Sequence, residues 1–239
     1  MKKIIFSFAV LAFMISTAFT GSTVCDGNDY FVTGVKSKVG YYSADGKLTA
    51  TGTSEVTKVY TSGDSTIAIL NSVYESADKK EPHASEMRLA CVNGALVMDM
   101  NSGAMASQKQ QTGRDIKTVC TGNKISYKQS YTVGEKLDSV NMMIESYVDG
   151  TLTATTTYVI KDRVVESYAN LTVPAGTFKC YKISYNSSST MKMKSMSIPV
   201  QKPHKSVMYY CPKTGMVRME DYQDDKLVSY NELLSLTKP

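Results

Sequence analysis

Two histidines, five cysteines and fourteen methionines are the residues of this 239-residue chain best suited to chemistry beyond ordinary ion pairing. His83 stands in "KKEPHASEMR", with Ser85 and Glu86 close by. A hydrolytic triad needs a histidine, a nucleophile and an acid that meet in space, and neighbours in sequence do not supply that. The setting is charged and polar, so His83 reads as a solvated turn histidine. His204, in "PVQKPHKSV", reads the same way, in a polar connection between strands. Glu145 and Asp149 offer two carboxylates, but nothing around them sets a glycosidase spacing. No G-x-S-x-G elbow, H-E-x-x-H pair or phosphate-cradling glycine loop occurs. No catalytic residue is assigned, no cofactor is expected, and the chain is read as a non-enzyme, with a hydrolase the most distant alternative.

The cysteines are Cys25, Cys91, Cys120, Cys180 and Cys211. No C-x-x-C pair exists and both histidines lie far from any cysteine, so a zinc site is not expected. In an exported chain disulfides are the usual outcome, and spacing alone leaves their connectivity open. Pairing Cys25 with Cys91 is the expectation, because it would tie down an otherwise loose N-terminus. The methionines offer a second possibility. "TMKMKSMS" puts Met191 and Met193 on one face of a strand and Lys192 and Lys194 on the other. Paired thioethers can hold Cu(I). The same alternation also describes one dry and one wet sheet face, and flexible methionine suits an adaptable apolar groove. Met191, Met193, Tyr181 and Tyr209 are therefore the candidate groove residues; no metal site is assigned.

The elements that must position these residues are strands. Asp45-Gly46, Gly63-Asp64, Asn93-Gly94 and Asp149-Gly150 recur between extended runs rich in Val, Ile, Thr and Tyr. Such pairs tolerate the positive φ of a two-residue hairpin turn, and the flanking residues suit a pleated surface. Sixteen tyrosines and no tryptophan fit amphipathic sheet faces. Roughly eleven to fourteen strands are expected, without the helix alternation of a parallel α/β sheet. "EKLDSVNMMIESY" has some helical spacing, but the Asp-Gly hairpin after it favours a strand. Residues 101–114, "NSGAMASQKQQTGR", read as a long polar loop, with room for a short helix at "AMASQKQQ". In "LTVPAGTFKCYKISY" the Val173–Gly176 stretch reads as a turn between two antiparallel strands. There Phe178 and Cys180 share one face while Tyr181, Ile183 and Tyr185 share the other. Either both faces are covered, or a bulge at Cys180-Tyr181 shifts the phase.

The N-terminus sets the destination. "MKK" followed by about fifteen apolar or small residues has the build of a signal peptide and is too short for a membrane span. Cleavage after Ala18, or a few residues later near Gly21, assigns residues 1–20 to the signal and 21–239 to a single β domain. Ser22 and Val24 before Cys25 reverse the large-then-small order of a lipoprotein signal, so no lipid anchor is expected. Without Lys2 and Lys3 the formal charge of +5 falls to +3, and lysines and acids are interspersed. A nucleic-acid partner, which needs a clustered basic face, is excluded on that ground. So is a polybasic membrane anchor.

Two blocks carry a resemblance. "IKDRVVESYANLTVPAGTFKCYKISY" contains Arg163, Val165, Val173, Pro174, Ala175, Gly176, Thr177, Phe178, Cys180 and Tyr181 in the spacing of a conserved family motif. "SVMYYCPKTGMVRMEDYQDDKLVSYNELLSL" supplies Tyr209, Tyr210, Pro212, Gly215, Met216, Val217, Arg218 and Glu220 for a second, departing where the family often has tryptophan. Together they resemble the TapB-like family of exported bacterial proteins, whose domain has no known function. The resemblance implies an exported protein and a strongly curved antiparallel sheet, a half-barrel or barrel, loosely similar to bacterial lipoprotein carriers. It implies no reaction and brings no catalytic residues. The expectation is a periplasmic or cell-surface protein that binds an apolar small molecule or an envelope partner. The alternative is an assembly protein acting through a surface or an edge strand.

Overall fold

The computed structural model describes residues 25, 27–78, 81–99, 116–122, 124–193 and 196–239. The expected signal peptide and the polar loop at 101–114 lie outside the described residues. Fourteen strands follow a short 3₁₀ turn, Asp29–Phe31. The N-terminal run is β1 (Lys36–Ser43), β2 (Leu48–Ser62), β3 (Ser65–Ser76), β4 (His83–Val92) and β5 (Ala95–Asp99). Then come β6 (Ile116–Gly122), β7 (Ser126–Tyr127), β8 (Lys136–Leu137) and β9 (Val140–Val148). The C-terminal run is β10 (Thr151–Val173), β11 (Gly176–Met193), β12 (Met196–Cys211), β13 (Gly215–Gln223) and β14 (Lys226–Thr237). All belong to one antiparallel sheet that does not close, in the order β6-β9-β10-β11-β12-β13-β14-β1-β2-β3-β4-β5-β7, with β8 alongside β10.

The turn chemistry explains the hairpins. Asn93 and Gly94 have φ of 49° and 74°, and Asp149 and Gly150 have 49° and 78°. Both pairs thus adopt the doubly positive geometry of a two-residue turn that matches strand twist. Asp224 and Asp225 take the same conformation between β13 and β14, at 50° and 57°, with no glycine. Short aspartate side chains tolerate this region better than most.

The curvature follows from the strand order. β6 ends at Gly122 on one edge of the sheet, and β7 begins at Ser126 on the other. Four residues of chain span at most about 14 Å. The two edges must therefore approach one another, and the sheet wraps around an interior. Residues 128–135 fill the seam: the Gly134 N–H donates to the Val165 carbonyl at 2.8 Å, and the Val165 N–H donates to Glu135 O at 3.0 Å.

The main core includes Val35, Val56, Leu70, Leu89, Val165, Ile183, Met208 and Tyr210, all nearly inaccessible to solvent. A second cluster joins Val173, Cys180 and Cys211 to Val217 and Leu233, with Phe178 and Tyr209 packed against it. The tip of the β10–β11 hairpin makes it, closing on β14 where the Ala175 N–H donates to Leu233 O at 3.2 Å. This answers the uneven alternation of β11. Ala169 pairs with Cys180 and Tyr168 with Tyr181 without a shift, so no bulge lies there. Both faces of β11 are covered instead. Disulfides join Cys25 to Cys91 and Cys180 to Cys211.

Candidate functional site

One end of the interior is plugged. Asn28, wholly buried, donates to the Pro212 carbonyl at 2.7 Å and accepts from the Tyr30 N–H at 2.9 Å. Asp29 pairs with Lys238 at 2.6 Å and accepts from Thr214 Oγ1 at 3.1 Å. The Tyr30 ring lies so close to Gly215 that a β-carbon there would collide with it. Positive φ at Gly215, 86°, adds a backbone reason for glycine at this position.

Further along, the interior is not filled. A cavity of about 310 Å³ opens between β4–β5 on one wall and β10–β13 on the other. Met87, Leu89, Leu96 and Met98 face Ile160, Met208, Met216 and Met219 across it. Aromatic rings complete the wall. Tyr127 stacks on Tyr210 at 5.0 Å between centroids. Tyr185 donates to the Met219 sulfur at 3.4 Å. Burial holds the hydroxyls of Tyr127, Tyr185 and Tyr210 well above the ordinary tyrosine range, and neighbouring tyrosines add to the shift. The nearby Arg163 offsets part of it for Tyr127 and Tyr185.

Arg163 reaches this wall through a bulge. Lys161 pairs with Asn186 and Val164 with Ser184, so Asp162 and Arg163 together oppose Tyr185 alone. Asp162 has φ of 56° and accepts from Asn186 Nδ2 at 2.9 Å. A bulge re-aims the side chains that follow it. Ile160, Arg163 and Val165 all end up buried, where strict alternation from Ile160 would turn Arg163 outward. On the far side β9 stops pairing with β10 at Val140, and β8 resumes beside Arg163 at Leu137. Asp138 lies in that break, and Arg163 Nη1 donates to its carbonyl at 3.1 Å. Arg163, 7% exposed as a residue, makes no ion pair among the described residues. It also lines a second, polar recess of about 330 Å³, together with Lys124, Lys128, Lys136, Glu135 and Asp138. Lys128 is paired with Glu135 at 2.8 Å, which holds the carboxyl below and the ammonium above their usual ranges.

None of the four groove residues expected from sequence lines the apolar cavity. Met193 is exposed near the end of the β11–β12 hairpin, opposite the exposed Met196, and Met191 lies two residues before it. Near the tip of this long hairpin neither methionine lines the cavity. Tyr181 is buried, but its surroundings are occupied by Tyr168, stacked at 4.2 Å, and by Tyr131, edge-on at 5.2 Å. Tyr209 follows Met208 and precedes Tyr210, which both line the cavity, and it packs on the second cluster instead. Arg163, Tyr210 and Met216, which do line it, stand in the two blocks that carry the family resemblance, but nothing in the sequence marked them as cavity residues. The available signal was a lone arginine among β-branched residues after Lys161-Asp162.

His83 opens β4 and is exposed. His204 corrects the expectation of a polar connection: it sits within β12, its side chain 10% exposed. Its Nε2 lies 3.0 Å from Ser187 Oγ and 3.7 Å from Asp221 Oδ1. Both contacts converge on one nitrogen, whereas a triad needs the acid and the nucleophile on opposite nitrogens. Asp221 also accepts from Ser206 at 2.7 Å. Glu145 accepts from the Tyr147 hydroxyl on its own strand, and Asp149 belongs to the β9–β10 turn. Among the described residues no cluster of three or more His, Cys, Asp or Glu is placed to hold a metal. No helix among them is long and apolar enough to cross a membrane.

A family model described as DUF3108-like matches residues 32–233. A Bacteroides fragilis protein predicted to be exported, described as having a YmcC-like fold, superposes with a TM-score of 0.63 at 21% identity. That match covers 87% of this chain and 99% of the other. A predicted lipoprotein from Parabacteroides distasonis superposes with a TM-score of 0.65 at 23% identity, covering 87% and 96%. At these identities the likeness is one of fold. None of the curated proteins compared with the chain matches it.

Proposed function

We propose that this chain, which belongs to the DUF3108-like family, is an exported, non-enzymatic protein that holds an apolar ligand inside its half-barrel. The cavity of about 310 Å³ carries this reading. Close-packed interiors leave few voids larger than a water molecule, whereas ligand pockets start near about 300 Å³. Its methionines can repack around chains of different shape. Export is supported by the signal-like N-terminus and by the exported character ascribed to the Bacteroides fragilis neighbour. The finer resemblance to the TapB-like family points the same way. The order of Ser22 and Val24 before Cys25 speaks against a lipid anchor there.

Native mass spectrometry of protein isolated gently from its own envelope tests the reading. A bound mass that is lost on denaturation and matches a lipid is the expected result. A clean apo mass, together with no uptake of a neutral apolar fluorophore, would overturn it and leave assembly through a surface or strand edge as the better account. The denatured spectrum also reports any lipid on Cys25.

A further inference from the structure

Burying an unpaired guanidinium is costly. A charge taken from water into a sheet interior loses several kcal/mol of hydration unless a partner restores it. Arg163 has one neutral partner, the Asp138 carbonyl, and no ion-paired carboxylate among the described residues. It sits where the apolar cavity and the polar recess meet, since it lines both. The Tyr210 hydroxyl, on the cavity wall, is buried and finds no hydrogen-bond partner among the described residues. Buried polar groups are almost always satisfied, so a partnerless hydroxyl beside a guanidinium whose hydrogen bond goes to a neutral carbonyl needs an explanation. The recess beyond Arg163 holds Lys124, Lys128 and Lys136 against Glu135 and Asp138, a net positive surround.

We propose that the ligand is a single-chain amphiphile with an anionic head, its tail among the methionines and its carboxylate or phosphate on Arg163. This rests on the carrier reading and specifies the chemistry of its cargo. The guanidinium fork matches either oxyanion with two parallel hydrogen bonds. A cationic head would meet Arg163 and the lysines, and a neutral head would leave the charge unpaired. The bulge at Asp162 is then the device that turns one charged side chain of β10 inward.

The test is competitive binding on the full mature chain with four probes of equal tail length: dodecanoate, dodecyl phosphate, dodecanol and dodecyltrimethylammonium. One or both anions should bind about tenfold or more tighter than the alcohol, and the cation weakest. Preference for dodecanoate points to a fatty acid, and preference for dodecyl phosphate to a lipid phosphate. Arg163→Met should bring the anions down to the level of the alcohol measured on the same variant. Arg163→Lys, which keeps charge but loses the fork, should fall between. Anions and alcohol binding alike to the unmodified chain would overturn the head site while leaving the carrier intact, and needs no variant. Anion preference that survives Arg163→Met but vanishes in Lys124→Gln/Lys136→Gln would also overturn it, as diffuse attraction. Failure of all four probes would remove the carrier reading itself.

Discussion

The two ends of the interior bury polar groups in opposite ways. At the plugged end Asn28 and Asp29 are buried like the leucines of the core, and each bonds to groups far away in sequence, near Pro212, Thr214 and Lys238. At the cavity end Arg163 and Tyr210 are comparably buried, yet one charge has only a carbonyl and one hydroxyl has nothing among the described residues. Satisfied polar burial fixes register and holds a terminus. Unsatisfied polar burial beside an empty volume is a cost that a stable fold would shed unless something else occupied it. On the carrier reading, the difference separates groups that serve the fold from groups that meet a ligand.

Alkali should break the cavity end first and produce the largest effect. Tyr127, Tyr185 and Tyr210 keep their protons in the folded chain to pH values at which an unfolded tyrosine, near pH 10, has lost them. Because the folded state binds more protons there, stability is full below about pH 10 and falls as pH rises beyond it. Tyrosinate absorbance followed with far-ultraviolet circular dichroism should show exposed tyrosines titrating near pH 10 and the cavity tyrosines ionising together with loss of the sheet. Smooth titration of all tyrosines with the sheet intact would show the cavity to be wet and the rings unburied.

The plugged end should respond to Asn28→Ala. The change leaves the Pro212 carbonyl and the Tyr30 N–H without their partners in a dry site, a loss of about 3 kcal/mol for two such bonds. Urea denaturation should show the midpoint falling with its slope unchanged. A loss under about 0.5 kcal/mol, the size of an ordinary surface change, would mean that water replaces both bonds and that the plug is looser than its geometry.

These two ends differ in how far sequence could reveal them. The hairpins were legible because Asn-Gly and Asp-Gly pairs encode a backbone requirement locally; the turn at Asp224-Asp225 was not, because it uses the same conformation without glycine. The sheet class was legible from β-branched alternation. The cavity was not, because alternation fails as a guide once a bulge intervenes. Asp162 resets the phase of β10, so Arg163 reads as an outward residue until its pairing with β11 is known. Met191 and Met193 lie away from the cavity for a different reason. Period-two spacing says which residues share a face, not whether that stretch of the strand has anything packed on it. Tyr181 and Tyr209 are buried neighbours of the right kind, but other rings and the hairpin-tip cluster already occupy their surroundings.

The smallest effect is the sharpest discriminator. Tyr210→Phe removes only the hydroxyl, and it keeps the ring that stacks on Tyr127 and touches Tyr131 edge-on at 6.3 Å. Deleting a tyrosine hydroxyl that has a partner costs stability, because the partner is stranded. Deleting one that has none removes an unpaid desolvation penalty, so the ligand-free protein should gain about 1 kcal/mol, roughly 3 °C in melting temperature for a chain of this size. The same substitution at the plugged end would go the other way, since every buried polar side chain described there is bonded. A loss of stability on Tyr210→Phe in the ligand-free protein would give the hydroxyl a structural partner and erase the contrast between the two ends. A gain without ligand that shrinks when the anionic amphiphile is bound would assign the hydroxyl, with Arg163, to the ligand.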